Sequence, residues 1–236
     1  MATTVGAAAE PVVLTAADGV KVYGEVWRAA GPKPPVILAF HQAASNHSEY
    51  QSIAPRLAAA GFTVLGIDQR SGGDYFGDTN KTVGALGRST GYEEALPDLA
   101  AALQWGKDNA RGAPVLLWGS SYSAALVFVL AAQNPGIAAG ILAFSPGEYL
   151  AKRRAVRSAA EKVSVPVFVT QAREHGEVDV SRNVLRSVAS EEKTQFVPTK
   201  GAAHGSSTLR PDVNPEGAEE TWQAVLKFLA QFRTRP

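Results

Sequence analysis

The chain predicts an α/β fold: a doubly wound, mostly parallel sheet with an N-terminal antiparallel hairpin. Three observations carry that prediction. Apolar, strand-like runs alternate with helix-like segments from residue 36 to the C-terminal end, the pattern of repeated strand–helix units. Val36-Ile37-Leu38-Ala39-Phe40 is apolar at every position, as expected of a strand covered on both faces. The first two runs, Pro11 to Leu14 and Val20 to Trp27, are separated by Asp18-Gly19, a hairpin signal.

The remaining elements follow in order. Tyr50 to Ala60 reads as a helix stopped by Gly61, since glycine accepts the left-handed conformation that ends helices. Phe62 to Ile67 is the next strand, and a long loop of Gly, Asp, Asn and aromatics runs from about Asp68 to Ser89. Gly91 to Asn109 supplies an amphipathic helix, and Ala113 to Leu117 another buried strand. After the helix-like Ala124 to Ala132 come a strand at Ile137 to Phe144, a helix at Tyr149 to Lys162 and a strand at Pro166 to Thr170. A helix at Val180 to Ala189, a strand at Lys193 to Val197 and a closing amphipathic helix at Gly217 to Phe232 complete the chain. Residues 1–10 read as a flexible N-terminal segment and residues 11–236 as a single domain.

Composition narrows the classes of function. A chain of 236 residues with 45% apolar side chains can bury a large core in one domain. A formal net charge of +1 and no concentrated basic cluster argue against nucleic acid as the main ligand. There is no cysteine, which excludes disulfides, thiolate catalysis and thiolate metal sites. His41, His47, His175 and His204 are scattered and make no metal-binding spacing, so neither a metal nor a cofactor is expected. No apolar run is long enough for a membrane span. Met1 to Glu10 has no basic region followed by an apolar stretch; the expected location is therefore cytoplasmic, or secreted or periplasmic with a signal peptide removed.

The most informative stretch is Leu117-Trp118-Gly119-Ser120-Ser121-Tyr122-Ser123, between a strand and a helix. A serine on a sharp strand-to-helix turn is exposed above a parallel sheet, and the strained turn demands small residues two before and two after it. Ser121 meets that demand, with Gly119 before it and Ser123 after it, whereas Ser120 would put Trp118 and Tyr122 at the crowded positions. Helix-capping serines would give a similar local pattern. The rest of the chain favours a nucleophile. Serine needs a histidine base, and the histidine a carboxylate partner. In a doubly wound sheet with this turn the order is serine, acid, histidine. His204, in the small-residue loop Lys200 to Ser207 after the last strand, fits that order; the other three histidines do not.

On the hairpin, the His41-Gln42 turn, Asp68-Gln69-Arg70, the Ser121 turn and the His204 loop, nearly the whole chain resembles the α/β-hydrolase superfamily. It is most similar to dienelactone-hydrolase-like and small serine carboxylesterase members. Three positions depart from that pattern: Ser121 replaces the cysteine of dienelactone hydrolases, Ser123 replaces glycine, and Gln42 stands where many members have glycine. The resemblance implies an acid shortly after the strand at Pro166. Glu174 lies nearest the expected spacing, with Glu177 second and Glu148, after the preceding strand, third; Asp179 is read as a helix cap. It also implies an oxyanion hole made by the backbone N–H of Tyr122 and of Gln42, with Ala43 next. His41 is expected to brace that turn. Only one short helix separates the strands at Ile137 and Pro166, so no separate cap domain is expected. Tyr75, Phe76, Tyr122 and Tyr149 would line an open mouth.

The expected activity is therefore cleavage of small or accessible carboxylic esters through a Ser-His-acid triad and an acyl-enzyme, the partner being a small-molecule ester. The alternatives are a thioesterase, lactonase or acyltransferase on the same machinery, or a binding protein that keeps the fold.

Overall fold

The computed structural model describes residues 8–233. An eight-stranded sheet runs through it in the order β1-β2-β4-β3-β5-β6-β7-β8. The strands are β1 (Ala9–Thr15), β2 (Lys21–Trp27), β3 (Val36–Phe40), β4 (Thr63–Ile67), β5 (Val115–Ser120), β6 (Gly140–Phe144), β7 (Val167–Thr170) and β8 (Lys193–Phe196). β1 and β2 form the antiparallel hairpin and β2 pairs antiparallel with β4, while every later pairing is parallel. The helices are α1 (Ala54–Ala59), α2 (Lys81–Leu86), α3 (Leu96–Ala110), α4 (Tyr122–Gln133), α5 (Ala155–Ala160), α6 (His175–Ser187) and α7 (Ala218–Leu229).

Alternation along the central strands divides the core between two faces. Leu38, Phe40, Leu117, Ile141 and Val169 pack with residues of α3 to α6. Ile37, Ala39, Leu116, Trp118 and Leu142 pack with Leu57 of α1 and Trp222 and Val225 of α7. Because the sheet is parallel from β4 to β8, the loops after β3, β5, β6, β7 and β8 all leave from the same edge. That edge is where side chains distant in sequence meet. Among the described residues, no helix is long and apolar enough to cross a membrane.

Several boundaries differ from the sequence expectations, each for a local reason. β1 takes in Ala9 and Glu10, which pair with Trp27 and Val26, so part of the segment expected to be flexible is strand; residues 1–7 lie outside the described residues. The helix expected at 50–60 is a 3-10 turn, His47–Tyr50, followed by α1, with Pro55 in its first turn. The loop expected at 68–89 contains α2, which Asn80 caps by accepting the Val83 N–H at 2.8 Å. The helix expected at 149–162 is reduced to α5. The helix expected to start at Val180 begins at His175 instead, and that difference decides which glutamate reaches His204.

Candidate functional site

Ser121 joins β5 to α4 with φ 58° and ψ −121°, a conformation that costs a residue with a side chain about 1–3 kcal/mol. It is over-determined by its surroundings. The Ser121 N–H donates to the Phe144 carbonyl at 2.8 Å, and the Ser121 carbonyl accepts the Ala124 N–H at 2.9 Å. Gly119 is required: a methyl there would lie 2.6 Å from the Ala124 Cα and nitrogen, and closer still to the Ser123 carbonyl. Ser123 occupies the other crowded position of the turn, and its hydroxyl is used. It donates to the His41 carbonyl at 2.6 Å and accepts from the Gln69 side-chain amide at 2.7 Å.

The Ser121 hydroxyl lies 2.8 Å from His204 Nε2, and His204 Nδ1 lies 2.7 Å from Glu177 Oε1. The second Glu177 oxygen accepts the Ser145 hydroxyl at 2.9 Å and the Ala172 N–H at 3.2 Å. Ser145 Oγ in turn accepts the Gly205 N–H at 2.9 Å, which ties the histidine loop to the acid. The hydrogen bond to Glu177 holds the His204 imidazolium above its usual range, against partial burial. Burial pushes the Glu177 carboxyl up, but the hydrogen bond and charge of His204 outweigh it and hold Glu177 below the usual carboxylate range.

The structure does not bring Glu174, the acid expected first, to His204; the glutamate beside that ring is Glu177, the second candidate. Glu174 is exposed at the N-cap position of α6, with φ −59° and ψ 131°, and its side chain makes no capping hydrogen bond. Glu177 stands in the first helical turn. The helix begins inside the segment read as a loop, and winding one turn brings residue 177 back over the end of β7. Glu148 is engaged elsewhere, accepting the Val156 and Arg157 N–H groups at 3.1 Å each and the Arg157 Nε at 2.9 Å.

The turn after β3 also differs from expectation. The Gln42 N–H donates to Glu49 Oε2 at 2.8 Å and is not free for a ligand. The N–H groups of Ala43 and of Tyr122, at the start of α4, donate to no described group. His41 is fully buried; its Nδ1 pairs with the Gln42 carbonyl at 2.8 Å and its Nε2 accepts the Gln69 N–H at 2.9 Å. Burial pushes its pKa down to about 4, so this ring is neutral and braces the turn.

Of the aromatics expected at the mouth, Tyr149 lies beside the Ser121 hydroxyl, its own hydroxyl donating to the Ser145 carbonyl at 3.1 Å. Tyr122 is buried, with Tyr92 stacked on it at 4.2 Å between centroids. Tyr75 and Phe76 contact each other, and Arg210 lies over the Phe76 ring at 4.3 Å, which sets them at the rim beside the His204 loop. A hollow of about 210 Å³ borders Glu177 and Tyr149 and is also lined by Pro146, Gly147 and Val180. A larger one, about 380 Å³ among Leu96, Val129, Leu150 and Ala155, contains none of the site residues. Among the described residues, no group of three or more His, Asp or Glu side chains is arranged to hold a metal ion.

Gln69, part of the Asp68-Gln69-Arg70 motif, belongs to this site's framework, as do Glu49, Ser145 and Tyr92, which had no distinguishing signal in the sequence. Glu49 precedes the expected helix by one residue, and its burial depends on contacts with residues 42 and 120.

The profile of the dienelactone hydrolase family matches residues 22–233. No curated protein matches the chain significantly in sequence. Solved structures do resemble it. An esterase of Pyrococcus furiosus is 20% identical, with a TM-score of 0.71 over 96% of this chain and 92% of that one. A dienelactone hydrolase from Anabaena variabilis is 15% identical, with a TM-score of 0.73 over 96% and 99%. A cold-adapted esterase from an Arctic intertidal metagenomic library is 17% identical, with a TM-score of 0.71 over 99% and 97%. These likenesses show the α/β-hydrolase fold.

Proposed function

Because the chain belongs to the dienelactone hydrolase family, we propose that it hydrolyses small or accessible carboxylic esters as a serine esterase, with Ser121 as nucleophile, His204 as base and Glu177 as its acid partner. The family and the esterases among its structural neighbours support a hydrolase. The single observation that carries the finer reading is the hydrogen-bonded chain Ser121–His204–Glu177, at 2.8 and 2.7 Å.

Each group has a role its environment suits. His204 Nε2 takes the Ser121 proton as Oγ bonds to the ester carbonyl carbon. Glu177, held ionised, keeps the other ring nitrogen protonated and stabilises the imidazolium that forms. The carbonyl oxygen becomes an oxyanion, for which the Tyr122 and Ala43 N–H groups are the available donors; such donors are worth about 3–4 kcal/mol each. His204 then gives its proton to the departing alkoxide. A water attacks the acyl-serine, again with its proton passing to His204, which returns it to Ser121 Oγ as the acyl carbon–Oγ bond breaks and the carboxylic acid leaves.

The test is hydrolysis of p-nitrophenyl acetate and butyrate by the wild type and Ser121→Ala. Wild-type turnover that falls about 10⁴-fold or more in the variant, with an unchanged circular dichroism spectrum, is expected. Equal rates in the two proteins would overturn the assignment of Ser121.

A further inference from the structure

Glu49 is a buried carboxyl that the proposed chemistry does not use. It sits in the 3-10 turn His47–Tyr50 and is fully buried. Its Oε2 accepts the Gln42 N–H at 2.8 Å, and its Oε1 accepts the Ser120 hydroxyl at 2.6 Å. Ser120 Oγ accepts the Ser206 N–H at 2.8 Å, and Ser206 Oγ accepts the Trp118 indole N–H at 2.9 Å. A methyl on Gly205 would collide with Ser120 Oγ, so the His204 loop closes directly over this chain. One carboxyl thus touches the turn after β3, the residue before Ser121, and, through Ser120, the loop after β8.

We propose that Glu49 is a positioning residue of the ester-cleaving site: by taking the Gln42 amide and the Ser120 hydroxyl, its carboxylate sets the turn after β3 against the Ser121 turn and leaves the Ala43 amide as that turn's donor to the oxyanion. The proposal rests on the esterase reading above. Glu49 has no exposed surface, so holding it ionised costs stability. Burial pushes its pKa up to about 7, against the hydrogen bonds of Ser120 and Gln42 and the positive charges of Arg210 and His204. Tyr50, hydrogen-bonded to the Phe40 carbonyl, is the other titratable group facing it. The attraction between Glu49 and His204 is mutual: an ionised Glu49 favours the protonated imidazole.

The test compares Glu49→Gln and Glu49→Asp with the wild type and Ser121→Ala, following p-nitrophenyl butyrate hydrolysis from pH 5 to 9. Glutamine still accepts from Gln42 but carries no charge. Above pH 7, where wild-type Glu49 is ionised, the variant's kcat should fall about tenfold to a hundredfold, the upper figure being the low end of the loss of one oxyanion donor, with KM within about twofold. The acid limb of its kcat/KM profile should move to lower pH, because the charge that favours protonated His204 is gone. Aspartate keeps the charge but is one methylene too short to span both partners. Its kcat should fall comparably while its acid limb stays in place, and this arm stands alone should Glu49→Gln not fold. Wild-type kcat in either variant would overturn the proposal. So would an unmoved acid limb in Glu49→Gln, the signature of a residue that only fills space. Wild-type activity in Ser121→Ala would instead remove the esterase reading itself.

Discussion

Glu49→Gln should make the protein more stable at neutral and alkaline pH and change it little in acid. The carboxyl is fully buried and its pKa rises from the ordinary 4.5 to about 7 in the folded state. A raised carboxyl pKa means that the fold prefers the neutral form. The stability this group contributes is complete below 4.5, is lost as pH rises through about 7, and is gone above it. That rise is worth about 3 kcal/mol. The amide of glutamine mimics the neutral carboxyl at every pH, so the stability gap between variant and wild type should widen by about 3 kcal/mol from pH 4.5 to pH 8. For a chain of this size the widening corresponds to about 6–12 °C in Tm. Urea unfolding at pH 4.5 and pH 8, read as ΔG with equal m-values, measures it directly. A gap of the same size at both pH values would refute the reasoning, because the cost would then not be one of ionisation. Coupled with the kinetic loss expected above, the result would mark Glu49 as a place where stability is given up for geometry.

Three further outcomes separate the residues of the site. Glu177→Ala should lower kcat/KM by roughly ten-thousandfold, while Glu174→Ala, which removes an exposed side chain, should stay within about twofold of wild type; the reverse order would return the acid to Glu174. In the proposed chemistry the base must be neutral to work, and His204 is held above its usual range by Glu177. Wild-type kcat/KM should therefore rise as pH passes a midpoint above the ordinary 6.5, and in Glu177→Gln that midpoint should move to lower pH. Gly119→Ala has no room at the Ser121 turn and should lose about 3 kcal/mol or more, seen as a lowered urea midpoint or as loss of soluble protein; an unperturbed midpoint would mean the turn is looser than its dihedrals indicate.

The strand–helix alternation, the fully apolar central strands and the Asp18-Gly19 hairpin were all legible because each depends on local periodicity and turn chemistry. The Ser121 turn was legible for a similar reason: a strained dihedral pair admits few residue types, and Gly119 and Ser123 satisfied it. His204 followed from the order of loops at one edge of a parallel sheet. That Glu177 and not Glu174 lies beside His204 turns on one helix boundary. Val178, Ser181, Val184 and Leu185 make the buried face of α6, and that period reaches back into the segment taken as a loop. One turn of helix exchanges the glutamate facing solvent for the one facing His204.

The backbone donors and Glu49 are a different matter. Whether the Gln42 N–H is free depends on a glutamate seven residues later whose burial is set by Ser120 and the Ser206 loop, which lie on other strands' ends. The sequence by itself determined the fold class, the nucleophile candidate and the histidine that can reach it, since those rest on patterns within a few residues. Only the tertiary structure decided which carboxylate meets His204, which amides stay open and which buried charge sets the turn, because each is a contest between hydrogen-bond partners that the folded sheet alone brings within 3 Å.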